Sequence, residues 1–134
     1  MNEKIRDSAE EVFRILGPGH SESTYQNALL YEIEQRCKFI KRKATEVTFP
    51  IFFKEQPVGF QRIDILLETN DSEIIIVELK SVQNLPTNTS NQIRRYIEQY
   101  THAFRCDPQK IFGAIINFPN ANRPIDFVFV EPSN

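Results

Sequence analysis

The stretch Arg62-Ile63-Asp64-Ile65-Leu66-Leu67-Glu68-Thr69-Asn70-Asp71-Ser72-Glu73-Ile74-Ile75-Ile76-Val77-Glu78-Leu79-Lys80 decides the fold. Two apolar runs rich in β-branched residues flank Thr69-Asn70-Asp71-Ser72, whose short polar side chains favour turns, so the segment reads as a hairpin. With Asn70-Asp71-Ser72 as the loop, Thr69 pairs with Glu73 and Asp64 falls opposite Glu78, while a two-residue turn shifts the register by one place. Side chains alternate along a strand, which groups Asp64 with Leu66, and Glu78 with Lys80, Ile76 and Ile74. The first register turns all of these the same way. The opposite face then carries Ile63, Ile65, Leu67, Ile75, Val77 and Leu79. A hairpin apolar on both faces belongs at the centre of a sheet.

Upstream, Ile5, Ala9, Val12, Phe13 and Leu16 recur at three- and four-residue steps and predict a helix over Glu3 to Leu16, stopped by Gly17-Pro18-Gly19. A second helix opens at Ser21 or Ser23, where a serine caps free amides, and fades near Arg36. Lys43 to Lys54 changes to β-branched and aromatic residues, a strand that Pro50 assigns to an edge or a bulge. A turn at Lys54 to Pro57 leads into strands over Val58 to Glu68 and Glu73 to Ser81, forming a three-stranded meander. A helix over Ser90 to Phe104 follows, and then strands over Ile111 to Phe118 and Ile125 to Val130.

The chain has 134 residues, 40% hydrophobic and 25% charged, which suits one globular domain over 1–134 with a single core. The net charge of −2 gives no general attraction to nucleic acid, so any such binding is local. Basic residues gather at Arg36, Lys38, Lys41, Arg42 and Lys43 and again at Arg94 and Arg95, either as solvated edges or as phosphate contacts. Cys37 and Cys106 lack metal-ligand or disulfide spacing and read as reduced thiols. No apolar run approaches the length of a membrane span, and the expectation is a soluble, intracellular protein, cytoplasmic or nuclear.

Two carboxylates and an ammonium at one end of a buried surface are costly unless paired or bound to a metal. An ion pair with Lys80 neutralises only one of Asp64 and Glu78. A divalent cation supplies the missing charge, since Mg²⁺ prefers a few carboxylate oxygens together with waters and phosphate oxygens. Lys80 beside it would orient or deprotonate an attacking water, or steady developing negative charge.

Arg62-Ile63-Asp64 followed by Val77-Glu78-Leu79-Lys80 resembles the divided PD-(D/E)xK motif, with Ile63 in place of the proline. Gly19-His20-Ser21-Glu22-Ser23-Thr24-Tyr25 resembles the GxxExxY signature of one branch of that superfamily. Gln92-Ile93-Arg94-Arg95-Tyr96 is similar to the QxxxY element of RecB-like nucleases, and Asn117-Phe118 ends a strand as that branch does. The resemblance spans about Gly17 to Phe118.

It implies a restriction-endonuclease-like α/β core, a mixed sheet of about five strands flanked by helices in the order ααβββαββ. It also implies a Mg²⁺- or Mn²⁺-dependent deoxyribonuclease acting through a metal-activated water, in DNA repair or recombination. Asp64, Glu78, the Leu79 carbonyl and Glu22 would be metal ligands, and Lys80 the catalytic lysine. Gln92 and Tyr96, on one helical face, would contact Lys80, the water or a phosphate. Glu22 has a second reading as a first-turn acid serving the helix dipole and cap. His20 has two readings, a loop histidine or, as in some RecB-like relatives, a histidine that approaches the metal. Lys41, Arg42, Lys43, Arg94 and Arg95 would grip DNA. Substrate choice would come from shape, ends, a homodimer or a targeting protein. The competing readings are a catalytically silent nuclease fold that binds nucleic acid or a protein, and an RNA-directed phosphodiesterase.

Overall fold

A computed structural model describes residues 1–132, so the last two residues of the expected domain lie outside those described. Helix α1 (Asn2–Leu16) buries Ile5, Ala9 and Val12, and ends where Gly17 takes a φ of 70° that costs glycine little. Helix α2 (Glu22–Arg36) starts at Ser21, whose hydroxyl accepts the Thr24 amide at 3.2 Å. Strands β1 (Ile40–Phe53), β2 (Gln56–Thr69) and β3 (Ile74–Lys80) follow, then helix α3 (Thr89–Phe104) and strands β4 (Ile111–Asn117) and β5 (Asp126–Val130). Among the described residues no helix is long and apolar enough to cross a membrane.

The five strands form one mixed sheet in the order β1-β2-β3-β4-β5, antiparallel except for β3 with β4. A parallel pair needs a crossover, and α3 provides it. Helices α1 and α2 cover one face over Ile65, Leu67, Ile75, Val77, Leu79 and Ile116. Helix α3 covers the other over Phe49, Ile76, Ile111 and Ile115. This is the expected restriction-endonuclease-like α/β architecture.

The hairpin register agrees with the three-residue loop: Thr69 donates to the Glu73 carbonyl at 2.9 Å, and Ile65 stands opposite Val77. β1 is an edge strand, as Pro50 predicts, with a register shift between Ile51 and Phe52. It starts at Ile40, earlier than expected. The turn into β2 is also narrower than Lys54 to Pro57: Lys54 and Glu55, with φ of 49° and 64°, reverse the chain alone.

One side chain departs from the alternation. Ile63 packs with Phe49, Ile76 and Tyr100 beneath α3, whereas Ile65 packs on the α1–α2 side, so the two do not share a face. Across the ladder Glu46 has a φ of 53°, and this left-handed residue coils the ribbon between them.

Candidate active site

Strands β2 and β3 part at the C-terminal end of β3. Their ladder stops at Ile65 and Val77, and the next inward amide, that of Leu79, donates instead to Asp64 Oδ2 at 2.8 Å. Successive backbone groups on a strand point to opposite neighbours. The Lys80 carbonyl accepts the Phe118 amide at 3.0 Å on the β4 side, so the Leu79 carbonyl points toward β2, into the opening beside Asp64.

Glu78, in register opposite Asp64, is 9% exposed and lies on the α3 side with Tyr96. Its carboxyl is pushed up to about 8, first by burial and then by the hydrogen bond and charge of Asp64; Lys80 and Tyr96 oppose the rise. Two carboxylates with so little water between them resist ionising together. Burial, followed by the charge of Glu78, raises the Tyr96 phenol in turn. Gln92 Nε2 donates to the Tyr96 hydroxyl at 3.1 Å, one turn apart on α3.

Glu22 approaches from the other helical layer. Its carboxyl is raised by burial and by the charge of Asp64, and lowered by Lys80 and Arg62. Ser21 makes the capping bond to Thr24, and the Glu22 carboxyl responds first to its burial and then to the charges of Asp64, Lys80 and Arg62. The loop before it is fastened by Tyr25, whose hydroxyl donates to the Gly17 carbonyl at 2.6 Å and accepts the His20 amide at 3.2 Å. The Tyr25 ring stacks on Phe118, with centroids 4.4 Å apart. His20 Nε2 lies 3.0 Å from the Leu16 carbonyl, in keeping with a loop histidine.

The structure thus brings Asp64, Glu78, Leu79, Lys80, Glu22, Gln92 and Tyr96 to one end of the sheet. It does not bring the predicted phosphate contacts there. Lys41 and Arg42 pair with Glu68 at 3.9 and 3.0 Å, and Lys43 with Glu34 at 3.1 Å, near the β2–β3 turn. Arg95 is exposed on α3. Arg94 lines a cavity of about 470 Å³, which lies along α3 against Pro108 and Glu131 and contains none of the site carboxylates.

Arg62 is in the site, although its place in the motif carries no expected role of its own. Its guanidinium lies 4.0 Å from Asp64 and 3.6 Å from Glu46. Its position two residues from Asp64 on one strand was the available signal. Asn117, in the sequence only part of a strand ending, is a hub of the fold. Wholly buried, it accepts the Val82 amide and donates to the Val82 carbonyl and to Asp126, each at 2.9 Å. Arg123 grips Asp126 through both nitrogens and also the Gln83 carbonyl. Together they fix the segment that leaves Lys80. An amide side chain closing the apolar strand Ile111–Asn117 was the clue.

Among the described residues no three His, Cys, Asp or Glu side chains are close enough to enclose an ion unaided. Magnesium does not need such a cage, because it takes one or two carboxylates and fills its shell with water and phosphate oxygens. Asp64, Glu78 and the Leu79 carbonyl fit that donor set, and a cation would relieve the repulsion that raises Glu78.

The family model of the PD-(D/E)XK nuclease superfamily matches residues 1–126. No curated protein matches the sequence. Fifteen chains of solved structures match it. One, described as "Crystal structure of SSO0001", is 16% identical, with 97% of this chain and 67% of that chain covered and a TM-score of 0.46.

Proposed function

This chain belongs to the PD-(D/E)XK nuclease superfamily, and from that premise we propose that it is a deoxyribonuclease that hydrolyses phosphodiester bonds with Mg²⁺ or Mn²⁺. The observation that carries the reading is the pairing of buried Glu78 with half-buried Asp64 at the opening where the Leu79 amide turns from the ladder to Asp64. Asp64, Glu78 and the Leu79 carbonyl hold the cation, and Glu22 completes its surroundings. When bound, a divalent cation stabilises charge on phosphoryl oxygens and makes coordinated water more acidic.

The side chains do the rest. Lys80 directs an Nζ proton at the attacking water or the phosphate oxygen, and so fixes the line of approach or steadies the charge that develops. Tyr96, held by Gln92, borders Glu78 and orients the same group of oxygens. Gly19, Glu22 and Tyr25 support placement in the GxxExxY branch, since the tyrosine fastens the loop that delivers the glutamate. Gln92 and Tyr96 support the RecB-like element. The unit is a single domain over residues 1–134, acting on branched DNA or strand ends in repair or recombination. Its choice of site is made by DNA shape, a second copy or a targeting protein.

The test is incubation of the purified protein with single-stranded, duplex, flapped and four-way-junction DNA in Mg²⁺, Mn²⁺ or EDTA, beside Lys80→Ala. Cleavage that needs the metal and falls at least about 100-fold in the variant is expected. No cleavage of any substrate, with no metal bound by calorimetry, would sink the proposal.

A further inference from the structure

Strand β2 is paired on both sides only from Ile65 onward; from Gln56 to Ile63 its sole partner among the described residues is β1. The two strands therefore leave the sheet as a two-stranded arm. One face of the arm rests on α3: Phe49 meets Tyr100 edge-on at 5.7 Å, Phe52 meets His102 at 5.5 Å, and Gln61 bonds Gln99 at 3.1 Å. The other face is bare. Phe60 is 74% exposed there, beside Pro50 across the ladder, and Val58 and Phe53 are 62% exposed toward the tip.

Outward positions on β2 recur every second residue, about 6.5–7 Å apart. Leading toward the site they read Phe60 and then Arg62; past the coil at Glu46 the Arg62 guanidinium, 3.6 Å from Glu46, comes within 4.0 Å of Asp64, which joins this face to the site. A ring, a guanidinium and a carboxylate in succession match a base, a phosphate and a metal-held phosphate in a single strand. Stacking on an exposed ring accepts any base, and an arginine neutralises the phosphate beside it. Bases paired within a duplex do not offer their faces to such a ring.

We infer that the outward face of this arm binds single-stranded nucleic acid leading into the site, with a base stacked on Phe60 and the adjoining phosphate on Arg62. The inference rests on the nuclease reading above and names the strand state that the site accepts.

The experiment uses the full chain carrying Lys80→Ala, so that the strand survives, and follows anisotropy of a labelled thymidine oligonucleotide and of a duplex. The single strand binds more tightly; adding Phe60→Ala weakens it about tenfold and Phe60→Trp restores it. Adding Arg62→Ala lowers the slope of log affinity against log salt by about one. Equal affinity with Phe60→Ala, or a preference for the duplex, overturns the inference. So does a dimer in sedimentation that Phe60→Ala dissolves, which gives the arm to a second copy. Hydrolysis of bis(p-nitrophenyl) phosphate by the unsubstituted protein in Mn²⁺ tests the nuclease reading separately, because this small diester cannot span the arm. Hydrolysis without any effect at Phe60 fails the arm alone. An effect at Phe60 without hydrolysis fails the nuclease reading and keeps the arm as a binding surface.

Discussion

Glu46 stands across the β1–β2 ladder from Asp64 with a left-handed φ of 53°, and the pairs on either side, Thr45 with Ile65 and Val47 with Ile63, keep one register. The ribbon is re-aimed beside the carboxylate without an inserted residue. A left-handed backbone costs a residue with a Cβ about 1–2 kcal/mol, and a β-branched residue is worse placed than glutamate. Glu46→Gly is therefore expected to hold or raise the urea midpoint, and Glu46→Val to lower stability by about 1–2 kcal/mol. Equal loss in both variants would show that the Glu46 side chain matters more than its backbone.

Glu22 opens α2, but Ser21 makes the capping bond. Glu22→Gln is expected to weaken Mn²⁺ binding about 10-fold in calorimetry, the scale seen when a supporting partner of a metal site is lost, with the melting temperature nearly unchanged. A lowered melting temperature with intact affinity would return Glu22 to a purely helical role.

The raised carboxyl of Glu78 fixes a pH dependence for the metal-free protein. Folded Glu78 keeps its proton up to about pH 8, while the unfolded chain releases it near 4.5. The folded state binds the extra proton between those values, so stability is greatest below the window and falls as pH rises through it. The decline is about 1 kcal/mol per pH unit. Urea melts in EDTA from pH 5 to 8 measure it, and Glu78→Gln should flatten the profile. Metal affinity should rise over the same window, because the cation displaces that proton.

Helix α3, which carries Gln92 and Tyr96, lies against β4 at Gly113. A Cβ there would meet Ile93 Cγ1 at 2.6 Å and Ile97 Cδ1 at 3.2 Å. Gly113→Val is expected to cost about 1–3 kcal/mol by overpacking, and to lower cleavage by lifting Tyr96 from Glu78. Unchanged melting and activity would mean that α3 has room to slide.

Most of the fold was legible where neighbours along the chain decide the geometry. The Thr69–Ser72 loop and the alternation after it leave two hairpin registers, and the one formed is that in which Asp64 meets Glu78. Ile63 was assigned to the wrong face because the break depends on Glu46, a residue type that rarely signals left-handed backbone. The pairing of Lys41 and Arg42 with Glu68 joins residues on two strands more than 25 positions apart, and that of Lys43 with Glu34 joins a strand to a helix, so neither is visible along the chain. The same holds for Asn117, whose partner Val82 lies 35 residues away. Sidedness can be read locally where the alternation is unbroken; a break imposed by a neighbouring strand, and pairing across the fold, cannot.

The parallel pairing of β3 with β4 has a kinetic consequence. The β2–β3 hairpin closes a short loop, but Ile74 meets Ile111 only after α3 has been laid across the sheet. Local contacts form before remote ones, since a longer loop must be ordered before its contacts stabilise it. The short-loop hairpin sets Asp64 opposite Glu78, while Tyr96, which borders Glu78, reaches the pair only through the crossover helix. The dryness of the acid pair is thus a property of the long connection, and loosening that connection would return water to the site before it unpaired the strands.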